Sequence, residues 1–136
     1  MRLAFAQKTP NLAVMKIVAL IVRFLLGLAF VVFGSNAFLH FMQMPPMTGP
    51  AGEFIGAMNS TGYLQAVAAL QVIGGLLLLV GFVPLGLLTL GPIVVNIVFF
   101  HIFMERSGLG MALVFALLTL FLLWYHRSAF AGVLRS

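Results

Sequence analysis

Residues 63–104 read YLQAVAALQVIGGLLLLVGFVPLGLLTLGPIVVNIVFFHIFM without a single Asp, Glu, Lys or Arg, and this stretch decides the fold class. It is too long for one crossing of a hydrocarbon layer of about 30 Å at about 1.5 Å per residue. Gly81 and Pro84 punctuate its middle, so it predicts two spans, 63–82 and 85–104, joined by a tight turn. Working outward, 17–39 is long enough to cross, with only Arg23 interrupting it before Ser35 and Asn36, and 109–125 gives a fourth span closed by Trp124, Tyr125, His126 and Arg127. The whole chain, 1–136, therefore predicts one all-α domain, a polytopic four-helix transmembrane bundle with an outer loop at 40–62.

Composition agrees. The chain is 63% hydrophobic and 7% charged, with mean hydropathy +1.22, outside the usage of water-soluble domains. A net charge of +5 raises the question of nucleic acid. The basic residues sit mainly at the termini beside apolar spans, which reads as a membrane-orientation signal instead. Arg2, Lys8 and Lys16 on the N-terminal arm and Arg127 and Arg135 on the tail place both termini in the cytoplasm, with Arg106 alone in the third connection. The expected location is the inner (plasma) membrane. Having no cysteine, the chain runs no thiol exchange and holds no thiolate metal centre. The basic arm, the apolar run and Ser35-Asn36-Ala37 imitate a cleavable leader, but Arg23 and the length of the run fit a retained span. Pro10 is expected to break the helix between arm and span.

The loop is rich in Pro, Gly and Met, and Pro45, Pro46 and Pro50 forbid one helix through it. Residues 52–58 predict a short interfacial turn with Phe54, Ile55 and Met58 dipping into the bilayer. His40, Met42, Met44 and Met47 present one imidazole and three thioethers, donors that suit Cu(I). Loop methionines more often pack against lipid or protein, and no metal site is assigned.

Residues 91–105, GPIVVNIVFFHIFME, carry a proline, an asparagine, a histidine and a carboxylate in an apolar span. Pro92 leaves the Leu88 carbonyl without its helical donor. His101 and Glu105, four apart, share a face, whereas Asn96 lies about 140° from His101 in an ideal helix. The three line one pocket only if a bend or π-bulge rotates the segment. By depth, Asn36, His40, Gln65, His101 and Glu105 belong to the outer half, with Gln71 and Asn96 nearer the middle. These make a candidate outward-facing polar site for a small amphipath, such as a quinone headgroup, or else a hydrogen-bonded network that holds the helices in register. Arg23 shares a stripe with Gly27, Phe30 and Gly34, and Gln71 one with Ala68 and Gly75, so both are expected to face protein. With no acid at its depth, Arg23 either snorkels to inner headgroups or binds helix-end carbonyls or an anionic ligand group.

The order RFLLGLAFVVFGSNAFLHF, MPPMTGPAGEF, GYLQAVAALQVIGGLLLLVGFVPLGLL and GPIVVNIVFFHIF resembles the DoxX-like family of bacterial and archaeal membrane proteins over roughly 23–127. The resemblance rests on Arg23 with Gly27 and Gly34, on Gly74-Gly75, and on Asn96 with His101. It implies a four-helix membrane fold and, through the thiosulfate:quinone oxidoreductase subunits that name the family, quinone-linked redox chemistry. It also implies an acidic residue in relatives where this chain has Gln71, which weakens proton transfer there. The expectation is a quinone-interacting or accessory subunit of a membrane oxidoreductase, with His101, Asn96, Glu105, His40, Gln71, Asn36 and Arg23 as ligand-binding candidates. The competing expectation is a non-enzymatic carrier of small amphipaths or an assembly factor. No redox cofactor site or nucleophile is evident in the sequence, so the expected partners are the bilayer and either an electron-supplying protein or further copies of the chain.

Overall fold

The computed structural model describes the backbone of residues 2–134 and the side chains of residues 11–132; Arg135 lies outside the described residues. The elements are α1 (Arg2–Leu39), α2 (Gly49–Thr61), α3 (Tyr63–Val80), α4 (Val83–Phe103), α5 (Leu109–Tyr125) and α6 (Ala131–Leu134), with single 3-10 turns at Arg106–Gly108 and Arg127–Phe130. Four of these helices are long and apolar enough to cross a membrane.

Glycines set how closely the helices approach. Inside a bilayer no hydrophobic force drives helices together, so association relies on close contact of backbones over small residues. A Cβ added to Gly27 would stand 2.9 Å from the Gly75 carbonyl oxygen, and one added to Gly75 would stand 2.6 Å from that of Gly27. A Cβ on Gly34 would meet the Ala68 carbonyl at 2.8 Å. Seven residues up α1 thus match seven down α3, and the pair is antiparallel. Gly74 lies against Leu90 and Gly86 against Leu78, which makes α3 and α4 antiparallel in turn. Phe30 and Phe33 flank Phe115 at 5.6 and 6.2 Å between ring centres, closing α1 onto α5. The four helices form a ring in which each touches two neighbours. Leu26, Phe30, Leu78, Leu87, Leu90 and Leu122 fill its centre. The outer faces are apolar and exposed, as a lipid-facing surface requires.

Two expectations about the ends need correction. Pro10 does not break the first helix: α1 runs unbroken from Arg2 to Leu39, fifteen residues ahead of the expected start at residue 17. A proline removes one helical donor and crowds one carbonyl. Leu, Ala, Gln and Lys around it are good helix formers and the helix is long on both sides, so one lost bond does not end it. The expected 52–58 turn is a full helix of 13 residues, α2, which starts with Pro50 in its first turn, where a missing N–H costs nothing. Gly62, at φ +81°, turns the chain from α2 into α3, and Gly81, at φ +105°, ends α3 with its N–H on the Leu77 carbonyl. α4 is α-helical throughout despite Pro92. No π-bulge rotates Asn96 towards His101.

Candidate functional site at the loop end of the bundle

The end of the bundle that carries the 40–48 loop and α2 also carries the α4–α5 turn, and Phe54 of α2 meets Phe100 of α4 at 5.8 Å. His101 lies here, half-buried, in the last turn of α4. Its Nδ1 is 2.8 Å from the Glu105 backbone carbonyl. A carbonyl only accepts, so Nδ1 carries a proton, and in the neutral form of the ring Nε2 is the acceptor. The ring stands edge-on to Phe100, 5.1 Å between centres. A Cβ on Gly108 would collide with the imidazole, so the turn must place a glycine there for the histidine to fit.

The Glu105 carboxylate is turned away from His101. It accepts from the Ser107 backbone N–H at 3.0 Å and from the Ser107 hydroxyl, capping the 3-10 turn Arg106–Gly108. These two donors, chiefly the hydroxyl, hold its pKa below the ordinary 4.5, with the nearby His101 charge adding a smaller push. A carboxyl whose pKa falls on folding stabilises the folded turn above its unfolded value; that contribution is lost as pH drops through the lower folded value. Ser107→Ala should therefore move the Glu105 titration upwards, towards 4.5, in a carboxyl-resolved infrared or NMR titration. An unmoved midpoint would mean that the Ser107 hydroxyl does not donate to the Glu105 carboxylate.

The remaining candidates do not join this unit. Asn36 closes the C-terminal end of α1 through a reciprocal pair: the Met42 N–H donates to Asn36 Oδ1 at 2.7 Å and Asn36 Nδ2 donates to the Met42 carbonyl at 3.2 Å. His40 lies within that clamp, at φ +51°, with its side chain exposed. Gln65 donates to Asn59 Oδ1 at 2.9 Å, tying the start of α3 to α2, while its own buried carbonyl oxygen has no partner. Gln71 is half-buried, with its Cβ against Gly34 of α1. Asn96 is exposed on the outer side of α4 and donates to the Pro92 carbonyl, four residues back, at 3.1 Å. Arg23 is at the opposite end and is treated below.

Every side-chain hydrogen bond among the described residues joins residues no more than six apart. The alternative of a polar network holding the membrane-crossing helices in register is thus replaced by glycine contacts and apolar packing. Among the described residues no group of three or more His, Asp or Glu side chains is placed to hold a metal ion. A groove of about 400 Å³ opens between α1 and α3, lined by Ser35, Phe38, Leu39, Ala69, Val72 and Ile73. It is nearly all hydrocarbon and suits an acyl or isoprenoid chain better than a headgroup.

Sequence reasoning missed Ser107 and Gly108. Their only signal was the turn composition, which does not say whose side chain the turn must accommodate. No protein family, curated protein or solved structure gives a significant match to this chain.

Proposed function

We propose that the chain is a quinone-interacting accessory subunit of a membrane oxidoreductase in the inner (plasma) membrane, of the DoxX-like type, with both termini in the cytoplasm. The observation that carries this reading is His101. Its proton is committed to the Glu105 carbonyl, which leaves Nε2 as an acceptor beside the Phe100 ring. An acceptor of that kind takes the hydroxyl of a quinol rather than the carbonyl of a quinone, so the reduced form is the better ligand. The chain supplies a hydrogen-bond acceptor that holds the quinol; the quinone takes its two electrons from a partner and its two protons from water on the way to that bound form.

The test is the quinol and quinone content of protein isolated in native-lipid nanodiscs. Wild type is expected to hold near-stoichiometric quinol, and His101→Ala roughly a tenth as much, the loss expected from about 1.4 kcal/mol of binding. Equal, trace amounts in both would end the assignment.

A second reading, an assembly factor that holds another membrane helix, draws on Asn96. An amide exposed within a span, with its oxygen and one N–H unpaired, is costly in lipid and gains from a partner helix. That protein would tolerate His101→Phe and lose its partner on Asn96→Leu. The quinol reading requires the reverse.

A further inference from the structure

Arg23 stands at the end of the bundle away from the loop. Gly27 opposite Gly75 brings residue 22 level with Val80, the last residue of α3. Arg23 is therefore level with the end of α3. α1 continues past this level for about 20 residues, or about 30 Å, and so forms a wall beside the end of α5. His126 closes α5 there. With Phe30 beside Phe115 on antiparallel helices, Arg23 stands level with Leu122, one turn before His126; burial, and then the charge of Arg23, hold the His126 pKa below its usual value. Lys16, seven residues before Arg23, projects within about 20° of the same helix face, two turns further along the wall. Arg127 lies over the Trp124 ring at 4.9 Å and spends one N–H on the Trp124 carbonyl.

Among the described residues this corner has cations and no acidic side chain. The acidic side chains, Glu53 in α2 and Glu105 in the α4–α5 turn, are both at the other end of the bundle. Arg23 lies 4.5 Å from the Phe24 ring, and its Nε is buried without any acceptor. The carbonyl end of α5 offsets part of the charge but puts no oxygen within reach of that nitrogen. A guanidinium fixed at the membrane rim with unspent donors matches the oxygens of a phosphate. Trp124 and Tyr125 mark this level as the headgroup layer.

We infer that the corner between α1 and the end of α5 binds a phosphate-bearing anion, the headgroup of an anionic phospholipid, through Arg23, with Lys16, His126 and Arg127 around it. This site stands apart from the quinol reading, which uses the opposite end of the bundle.

The experiment places the full chain in nanodiscs of phosphatidylcholine mixed with phosphatidylglycerol and counts retained lipids by native mass spectrometry. Wild type should retain phosphatidylglycerol over phosphatidylcholine. Arg23→Gln should lower that preference about fivefold, the factor expected for one basic residue near a membrane surface. Arg23→Lys should restore part of it, and Arg106→Gln, at the far end, should leave it unchanged. Retention that withstands millimolar inorganic phosphate identifies the lipid as the source; displacement by phosphate identifies a soluble phosphate compound in the same site. No preference in wild type, or an undiminished one in an Arg23→Gln protein with wild-type circular dichroism and melting, would overturn the inference.

Discussion

Gly75→Leu should separate α1 from α3 and leave no folded bundle, and Gly75→Ala should already cost about 1–3 kcal/mol, the usual penalty for overfilling a packed contact. The reason is what the added carbon meets. At Gly75 the nearest atoms are the Gly27 carbonyl oxygen at 2.6 Å and Val31 Cγ2 and backbone nitrogen at 2.9 and 3.1 Å. Two of these three are backbone atoms of a helix and cannot rotate aside. The helices must move apart, and the contacts from Gly27 to Gly34 loosen together. Helix propensity works in the other direction, since alanine is favoured over glycine by about 1 kcal/mol in a helix interior. Gly91→Ala isolates that gain, because a Cβ there meets nothing within 4 Å. Reversible unfolding in mixed micelles should show Gly75→Ala clearly destabilised and Gly91→Ala neutral or slightly stabilised. Equal stabilities for the two would mean that α1 and α3 do not approach at this point.

The second large effect concerns α3 and α4. Leu90 is completely buried, and a Cβ on Gly74 would lie 2.6 Å from its Cγ and 2.7 Å from its Cδ2. Leu90→Ala should cost about 2–5 kcal/mol through the cavity it leaves. Gly74→Ala alone should cost about 1–3 kcal/mol through the clash. The double variant should be less destabilised than the sum by about 1 kcal/mol or more, since each change relieves the other and contacting residues couple on that scale. Additive losses in that cycle would remove Leu90 from the Gly74 face. Because the clash falls on a side chain and not on backbone, Gly74→Ala should be milder than Gly75→Ala, although the two glycines are adjacent.

Much of the site was open to reading along one helix and closed to reading between elements. The 100° step already separated Asn96 from His101, and α4, regular through Pro92, keeps them apart. The same step grouped Gly27 with Gly34 and Gln71 with Gly75, and those faces meet. Asn36 looked like a pocket residue because its partner, Met42, lies beyond the helix end, where no periodicity applies. The pairing of Glu105 with His101 failed in detail for a similar reason: the spacing brought the residues together, but the turn gave the carboxylate to Ser107 and left the histidine the main-chain carbonyl.

By itself the sequence determined the class, the number of crossing helices and the faces that small residues would turn inward. Those properties follow from hydrocarbon thickness, from the rise per residue and from the need for backbones to touch in lipid. Only the tertiary structure decided which residues of different helices stand level with one another, because that depends on the register between helices and not on position within one. The pairings of Gly27 with Gly75 and of Phe30 with Phe115 set Arg23 level with the ends of α3 and α5.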